Sequence, residues 1–431
     1  MTQTRVIQPV RQWQGTIVAP GDKSISHRSV MLAGLSERPV RLSNFLYAAD
    51  CLSTVRCMRA LGVKVEKDAE GVLTVSGNGL YGLKEPEDVL DAGNSGTTLR
   101  LLSGILGAQP FFSIITGDAS LRQRPMGRVV KPLRMMGSQL AGRQDGRNIP
   151  MAIGPNPTLK GINYDLPVAS AQVKSAILLA GLFADSPTTV SEPHRSRDHT
   201  ERLLELFGVK VTREGTSVTV QPAQELEAPP AIDIAGDISS AAFWMVAASI
   251  VPGSEVTIEN VGLNPTRTGI LDVLEQMGAD LTVLNRRRSG NEDIADILVR
   301  SAALKGCEIG AEIMPRLIDE IPILAVAAMF ASGKTVISGA EELRVKETDR
   351  LHAVALEFGK MGAVIEEKED GLVIEGGHSL HEATCFAHHD HRIAMSLAIA
   401  GSAAQGVTIE GADCVEISYP DFYEVLASFA K

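Results

Sequence analysis

Apolar residues along the chain are concentrated in one kind of segment, rich in small side chains, that recurs six times. The copies are "SVMLAGLS", "LRLLSGIL", "SAILLAGLFA", "AAFWMVAASIV", "PILAVAAMFA" and "AMSLAIAGSA". Aligned on Leu32, Leu102, Leu179, Val246, Val326 and Leu397, they lie 70, 77, 67, 80 and 71 residues apart. This period predicts six units of alternating helices and strands.

A second pattern repeats with the same period and predicts a helix end, a glycine stop and a strand. Its copies are "MRALGVKVE", "LRMMGSQLA", "LELFGVKVT", "LEQMGADLT" and "GKMGAVIEE", with Gly62, Gly137, Gly208, Gly278 and Gly362 at the stop. Glycine there supplies the left-handed cap, and the alternation that follows is typical of a strand. The sixth copy is the expected last helix, "PDFYEVLASFAK". Its strands do not follow it, so the segment "RVIQPVRQWQGTIVAP" is expected to supply one.

Two stretches look like crossings between domains. "VAPGDKS" leads out of the N-terminal strand, and the Pro-rich "LEAPPAIDIAGD" follows the third unit. They predict two domains of three units each, residues 21–235 and residues 1–20 joined with 236–431. A single open solenoid is the alternative, which is less favoured because solenoids usually have shorter repeats and capped ends.

Composition narrows the possible partners of the 431-residue chain. Its apolar fraction of 44% and charged fraction of 22% are those of a soluble globular protein. The net charge of −11 and the aromatic content of 4% argue against nucleic acid and anionic membranes. There is no signal-peptide pattern, and the apolar stretches are too short to span a bilayer. The five scattered cysteines indicate reduced thiols and a cytoplasmic location.

Polar residues precede each of the six repeated helices, as in "GDKSISHR", "DAGNSGTT" and "HHDHR". Ordinary N-capping explains Ser, Asn and Asp at these places. It does not explain the cations Lys23, Arg28, Lys174 and Arg392, because a helix N-terminus disfavours positive charge. We therefore expect an external anion to neutralise them.

More cations lie in "SLRQRPMGR" (120–128), "HRSRDHTER" (194–202) and "EELRVKETDRL" (341–351). In an acidic protein, they suggest a cleft for a multiply anionic small molecule. Two other motifs are weaker. "AMFASGKT" nearly matches a P-loop but follows a helix and enters a strand, which is the reverse of the required order. "HHDHR" could bind a metal but lacks a partner cluster, so no metal is predicted.

Eight blocks in order over nearly the whole chain resemble the 5-enolpyruvylshikimate-3-phosphate synthase family, in its second bacterial class. They are "GDKSISHR", "LDAGNSGTTLRLL", "GDASLRQRPM", "ASAQVKSAILLAGL", "SRDHTE", "IDEIPILAVAAMFA", "RVKETDRL" and "DHRIAMS". The resemblance implies an α/β fold of two similar domains, each of three βαβαββ units. This is the inverse α/β barrel of the enolpyruvyl transferases, with the active site in the interdomain cleft.

The resemblance also implies a reaction. The enolpyruvyl group of phosphoenolpyruvate passes to the 5-hydroxyl of shikimate 3-phosphate, and phosphate is released, on the shikimate pathway to chorismate and the aromatic amino acids. No metal or organic cofactor is implied. The expected partners are these two small molecules, without nucleic acid or membrane, and the expected state is a monomer. Glyphosate is the family's inhibitor, and because Gly96 is retained we expect sensitivity to it.

By resemblance, the proton-transferring carboxylates are Asp319, the expected base, and Glu347, with Lys23 also catalytic. The implied shikimate 3-phosphate ligands are Lys23, Ser24, Arg28, Ser170, Gln172, Arg197, Asp319 and Lys346. The implied phosphoenolpyruvate ligands are Lys23, Asn94, Gly96, Arg124, Gln172, Arg350 and Arg392. Because residues three and four apart share a helix face, the charges of "RVKETDR" are expected to serve one pocket.

The sequence departs from the common family pattern at Glu342 and Ile417, so no role is assigned to either. Two alternatives stay open. One is the enolpyruvyl transferase that acts on UDP-N-acetylglucosamine, which carries a Cys before its Arg-Pro where "GDASLRQRPM" has none. The other is a repeat protein that binds a phosphorylated metabolite without turnover, which would have no use for Asp319 and Glu347 beside its ligand.

Overall fold

The computed structural model describes residues 3–156 and 158–429. The chain divides into two compact units. The N unit comprises Gly21–Ile234 and Ser289–Glu292, and the C unit comprises Ala235–Arg288 with the described parts of 1–20 and 293–431. We propose that these units are the two domains expected from the sequence, with the main boundary one residue earlier.

The described residues form 23 β-strands. In chain order they are β1 (Thr4–Ile7), β2 (Gln14–Val18), β3 (Val40–Ser43), β4 (Lys64–Lys67), β5 (Leu73–Ser76), β6 (Leu90–Asp91), β7 (Ser113–Thr116), β8 (Leu140–Gly142), β9 (Asn148–Ile153), β10 (Asn163–Asp165), β11 (Thr188–Ser191), β12 (Val211–Glu214), β13 (Ser217–Val220), β14 (Ala231–Asp233), β15 (Glu255–Gly262), β16 (Asp280–Ser289), β17 (Glu292–Arg300), β18 (Glu308–Ile309), β19 (Lys334–Ile337), β20 (Val364–Lys368), β21 (Gly371–Glu375), β22 (Thr384–Phe386) and β23 (Val407–Glu410).

Helices alternate with these strands. They are α1 (Lys23–Gly34), α2 (Ala49–Ala60), α3 (Gly96–Leu106), α4 (Gly127–Met135), the single turn α5 (Arg143–Gly146), α6 (Ala171–Gly181), α7 (His199–Leu206), α8 (Ile238–Ile250), α9 (Gly269–Gln276), α10 (Ile321–Phe330), α11 (Arg350–Lys360), α12 (His391–Ala403) and α13 (Phe422–Phe429). Short 3-10 helices span Leu121–Gln123, Met314–Arg316, Ile318–Glu320, Glu341–Val345 and Ala412–Ile417. The last two residues of the expected final helix, 430 and 431, lie outside the described residues.

The N unit contains three four-stranded sheets, ordered β14-β3-β5-β4, β6-β7-β9-β8 and β10-β11-β13-β12. In each sheet the first pair is parallel and the other two pairs are antiparallel. Two helices alternate with the strands of each repeat, which gives the predicted βαβαββ order along the chain in the second and third repeats, whereas the first repeat takes its first strand, β14, from the end of the unit. Over residues 3–156 and 158–429 the strands form six separate small sheets, and none of these sheets closes into a barrel.

The C unit has a similar plan, with two four-stranded sheets in the orders β16-β17-β15-β2 and β18-β19-β21-β20, and a three-stranded sheet in the order β1-β23-β22. Its N-terminal segment supplies two strands: β2 lies parallel to β15, and β1 lies antiparallel to β23 with Thr4 opposite Glu410. The expected N-terminal strand for the sixth repeat is therefore confirmed. The strand β14 was not expected, because the sequence around it was interpreted as a crossing, yet it completes the first repeat by pairing with β3.

The six recurring apolar segments form the inner helices, α1, α3 and α6 in the N unit and α8, α10 and α12 in the C unit. Most residues on every side of these helices are buried, which explains their lack of a polar face. Small residues permit close packing: a Cβ on Gly104 would lie 2.2 Å from the Ala176 carbonyl oxygen. The five glycine stops all have positive φ, between 79° and 105°, which confirms the predicted helix ends.

The tip of the hairpin between β16 and β17 corrects the expected domain boundaries. Residues 289–292 belong to the N unit although the sequence placed them in the second domain. Side-chain bonds account for this assignment. Glu292 Oε1 lies 2.7 Å from His199 Nδ1, and Asn291 Nδ2 donates to the Arg202 carbonyl at 3.0 Å. Such pairing depends on the fold and has no local sequence signal.

Candidate functional site

The expected site residues form one group in each unit. In the N unit, α1 begins at Lys23, and the Asp22 side chain caps it by accepting from Ile25 N at 2.9 Å. Lys23 Nζ lies 3.2 Å from Asp50 Oδ2, near the start of α2. The start of α1 therefore presents a half-buried ammonium group beside a carboxylate.

Arg28 lies one turn further along α1 and is buried. Its Nε donates to Thr200 Oγ1 at 2.6 Å, and one terminal nitrogen donates to Ser175 Oγ at 2.8 Å. The other terminal nitrogen donates to the carbonyl of Ser24, itself half-buried, at 2.9 Å. These bonds orient the guanidinium group in a fixed direction. Arg197 is half-buried just before α7.

The start of α3 brings together Asn94, Gly96 and Arg124. A terminal nitrogen of Arg124 donates to Asn94 Oδ1 at 2.7 Å, and Asn94 Nδ2 donates to Asp118 Oδ2 at 2.6 Å. A Cβ built on Gly96 would lie 3.2 Å from an Arg100 terminal nitrogen and 3.5 Å from one of Arg124. Gly96 thus lies directly against two guanidinium groups.

The start of α6 is tied to α3. Ser170 caps α6, and Gln172 Nε2 donates to Thr97 Oγ1 at 3.1 Å. The Gln172 side-chain oxygen also accepts from Arg100. Ser170, Gln172 and Gly96 therefore occupy the N-termini of two packed inner helices, where backbone N–H groups favour anions.

A buried polar chain connects three helices beneath this group. His27 Nδ1 lies 2.7 Å from Thr54 Oγ1, and Thr54 Oγ1 lies 2.7 Å from Thr98 Oγ1. Burial lowers the pKa of His27 well below its ordinary value, and the charges of Lys23 and Arg28 lower it further. His27 is consequently neutral at physiological pH.

In the C unit, Asp319 lies among three cations. Its Oδ1 is 3.2 Å from a terminal nitrogen of Arg350 and 3.5 Å from Lys346 Nζ. Arg392 donates to the Asp319 carbonyl oxygen at 3.1 Å. The carboxylate lies in the 3-10 turn Ile318–Glu320, directly before α10.

Arg350 is the most enclosed cation of this group, with a side chain only 2% exposed. Its guanidinium nitrogens lie 2.7 Å from Glu347 Oε2, 2.7 Å from Asp390 Oδ2 and 3.2 Å from Asp319 Oδ1. Burial alone would lower its pKa, but these three carboxylates outweigh burial and raise the pKa. Arg350 thus holds both predicted proton-transferring carboxylates, Asp319 and Glu347, in one place.

Two sequence-based arguments are wrong in detail. Lys174 was expected to need an external anion, but its Nζ is buried 2.8 Å from both Glu192 and Glu201. Those carboxylates, distant in sequence from the helix start, raise its pKa against the effect of burial. The charges of "RVKETDR" do not share a helix face, because α11 begins only at Arg350 and Asp349 is its N-cap. They converge through the bend before the helix.

The N-capping interpretation of the polar residues is confirmed at five of the six inner helices, where a side chain caps the first turn. The capping residues are Asp22, Ser95, Ser170, Asp237 and Asp390. Glu320 precedes the remaining inner helix, α10, without such a bond.

Sequence reasoning missed residues that hold the expected ligands in position. Asp50 pairs with Lys23, and Asp390 binds Arg350 and accepts from Arg392 N at 2.9 Å. Buried Glu320 lies 3.7 Å from Arg392. Asp390 and Glu320 lie inside motifs that the sequence singled out, so a search for buried carboxylates at those helix starts could have found them.

Other kinds of site find no support in the described chain. Residues 3–156 and 158–429 contain no cluster of three or more His, Cys, Asp or Glu side chains placed to hold a metal ion. None of the helices in this part of the chain combines the length and apolar character needed to cross a bilayer. No disulfide joins any two of the five cysteines within it.

Comparison with known proteins identifies the class first. At a TM-score of 0.80 and 18% identity, the chain shares its fold with the enolpyruvyl transferase NikO from Streptomyces tendae, over 100% of this chain and 98% of that one. A solved EPSP synthase from Acinetobacter baumannii matches at a TM-score of 0.89 and 46% identity, with the same coverage. The fold is that of the enolpyruvyl transferases.

Comparison of the amino-acid sequence with known families then identifies the family of the chain. The model of the EPSP synthase family (3-phosphoshikimate 1-carboxyvinyltransferase) matches residues 7–426. The 3-phosphoshikimate 1-carboxyvinyltransferase of Desulforudis audaxviator is 55% identical over 99% of both chains, and that of Desulforamulus reducens is 53% identical over 98% of both. The chain belongs to the EPSP synthase family. The family and fold predicted from the sequence are confirmed, and the predicted activity is the one named for these relatives.

Proposed function

We propose that the chain transfers the enolpyruvyl group of phosphoenolpyruvate to the 5-hydroxyl of shikimate 3-phosphate and releases phosphate. The observation that carries this proposal is the C-unit group in which Asp319 and Glu347 share the buried cation Arg350. Two fixed carboxylates beside cations suit proton transfer on anionic substrates. The family membership and the identity of more than half to 3-phosphoshikimate 1-carboxyvinyltransferases support this acceptor over a UDP-sugar.

The proposed chemistry is addition followed by elimination. Asp319 takes the proton of the 5-hydroxyl as the hydroxyl oxygen bonds to C2 of phosphoenolpyruvate, while the ammonium group of Lys23, or Glu347 in its protonated form, delivers a proton to the methylene carbon. In the second step that carbon loses a proton to a carboxylate, the C2–phosphate oxygen bond breaks, and inorganic phosphate leaves. The cations hold the substrate phosphates and carboxylates in reacting position.

We assign substrate ligands in both units. Lys23, Ser24, Arg28, Ser170, Gln172, Arg197, Asp319 and Lys346 are proposed to bind shikimate 3-phosphate. Lys23, Asn94, Gly96, Arg124, Gln172, Arg350 and Arg392 are proposed to bind phosphoenolpyruvate. The bonds that fix Arg28, Arg124 and Arg350 support these roles, because an oriented guanidinium can grip a phosphate or carboxylate with two bonds.

A cytoplasmic monomer of the second bacterial class is part of the proposal. The motif "ASAQVKSA" supports the class, and the reduced cysteines expected from the sequence support the location. Size-exclusion chromatography with light scattering tests the monomer, which a mass of about twice 45.9 kDa would contradict.

The deciding experiment measures phosphate release from phosphoenolpyruvate. We expect release with shikimate 3-phosphate and none without an acceptor or with UDP-N-acetylglucosamine. Release with the UDP-sugar would instead favour the related transferase. Tight binding of both substrates without any release would indicate a binding module.

A further inference from the structure

The segment "HHDHR" (388–392) has an unusual backbone. His388 and His389 have φ angles of 53° and 57°, in the left-handed region that residues other than glycine rarely adopt. Two such residues in succession are energetically unfavourable and persist only when their surroundings hold them. They lie directly before Asp390, the N-cap of α12, so they set the direction in which this helix begins.

A buried carboxylate holds the segment. Glu357, near the end of α11, is 1% exposed. Its Oε1 lies 2.7 Å from His388 Nε2, and its Oε2 accepts from Phe386 N at 2.9 Å and from Lys360 Nζ at 2.7 Å. Burial would raise the pKa of Glu357, but these bonds outweigh burial and lower it. Glu357 is therefore a charged acceptor, and the facing His388 nitrogen is the donor.

The N-terminal end of α11 also contacts the segment, at Asp390. Arg350, the first residue of α11, donates from Nε to Asp390 Oδ2 at 2.7 Å. The other Asp390 oxygen accepts from Arg392 N at 2.9 Å. Helix α11 thus holds residues 386–390 at both of its ends, and Asp390 connects the segment to both arginines. The ring of Phe386 packs against His388 with centroids 4.9 Å apart, which adds an apolar contact to the polar one.

We propose that Glu357 and His388 are positioning residues for phosphoenolpyruvate binding. Their bond keeps the backbone before α12 in its left-handed conformation, so that Asp390 holds the Arg350 guanidinium and the backbone N–H of Arg392 in a fixed arrangement. This inference rests on the proposed function, which assigns those two arginines to phosphoenolpyruvate. It gives His388, the first histidine of "HHDHR", a role that involves no metal.

Three substitutions at His388 separate the side-chain bond from the backbone conformation. His388→Ala removes the bond and keeps the conformational cost, so we expect KM for phosphoenolpyruvate to rise about tenfold, as for the loss of a hydrogen bond to a charged group. His388→Gln places an amide N–H at the same reach and should restore KM to within about threefold. His388→Gly loses the bond but favours positive φ, and should fall between the two. KM for shikimate 3-phosphate should stay within about twofold throughout.

A matched control residue, His352, lies on α11, the helix that carries Glu357. His352 also pairs with a glutamate, Glu367, at 3.0 Å, but it is 59% exposed and does not contact residues 386–390 through that pair. His352→Ala should leave both KM values unchanged. Because the His388 side chain is 23% exposed, we expect its variants to fold. Glu357→Gln gives a second variant that keeps an acceptor for Phe386 N and should raise KM less than His388→Ala.

The outcomes distinguish this inference from the proposed function. Wild-type protein that releases no phosphate would contradict the function itself. An active wild type with an unchanged KM for phosphoenolpyruvate in His388→Ala, or with equal changes in both KM values, would overturn the positioning role. A Gln variant no better than Ala would show that the bond to Glu357 is not what matters.

Discussion

The two units hold their most important arginines with different partners. In the N unit, Arg124 is oriented by the side chain of Asn94, and Arg28 by hydroxyl and carbonyl oxygens. In the C unit, Arg350 is enclosed by the carboxylates of Asp319, Glu347 and Asp390. Removal of Arg350 would leave three carboxylates without their shared cation, whereas removal of Arg124 would break its hydrogen bond to the Asn94 amide oxygen. The same residue type therefore contributes differently to stability in the two units.

The largest effect is expected from the carboxylate in the C-unit group. Asp319→Asn keeps the shape of the side chain but removes the base, so turnover should fall about 10²- to 10⁴-fold. Affinity for shikimate 3-phosphate should change little, because the substitution also removes a negative charge facing an anion. Asp272→Asn is the control, since Asp272 forms a surface pair with Arg316 at 2.6 Å. Full activity in Asp319→Asn would refute the assigned role.

Paired arginine substitutions test the contrast in stability. Arg350→Met should cost about 3 to 5 kcal/mol of unfolding free energy, because it leaves the buried carboxylate of Asp390, together with half-buried Asp319 and Glu347, without their shared cation. Arg124→Met should cost about 1 kcal/mol, as for the loss of ordinary hydrogen bonds. Urea unfolding followed by the fluorescence of Trp13 and Trp244, both in the C unit, measures the first, and circular dichroism measures both. Equal costs would remove the distinction between the units.

A smaller effect is expected at Gly96, against Arg100 and Arg124 of the N unit. Gly96→Ala adds a methyl group 3.2 Å from the Arg100 guanidinium, and overpacking of this kind costs about 1 to 3 kcal/mol. We expect the wild type to be sensitive to glyphosate, and we expect the added methyl to weaken the longer inhibitor more than phosphoenolpyruvate. The inhibition constant and KM of both forms check this. An equal loss for both molecules would place Gly96 away from the discriminating contact.

The smallest effect concerns pH and the N unit. Because folding lowers the pKa of His27, the unfolded chain binds a proton below its ordinary pKa of about 6.5 while the folded chain does not. Stability from this group is therefore present above pH 6.5 and is lost as the pH falls toward the lower folded pKa, by at most about 1.4 kcal/mol per pH unit. His27→Gln should reduce that slope between pH 6.5 and 5, and exposed His194→Gln should not. An unchanged slope in His27→Gln would show that His27 does not cause it.

What could be predicted from the sequence was whatever repeats or acts locally. The recurring apolar segments predicted the helices, and the glycine stops predicted where helices end. Each of these signals lies within a few residues of the chain. Partners distant in sequence could not be predicted: Glu192 and Glu201 satisfy Lys174, and β14 joins β3 across almost 190 residues. The candidate site residues came from motifs, and their roles stay a prediction. The bend before Arg350 was missed, because acidic and basic residues at helical spacing look the same in a loop.

The pairing of Thr4 with Glu410 has a consequence for synthesis. The N unit is built almost entirely from the contiguous stretch Gly21–Ile234. It can therefore fold during translation, before the rest of the chain has been synthesised. Strand β1 must instead wait for a partner some 400 residues later, roughly 20 to 80 s at ordinary elongation rates. During that interval its unpaired edge is open to other nascent chains. Ribosome-bound intermediates truncated before β23 should therefore engage chaperones through the first residues of the chain.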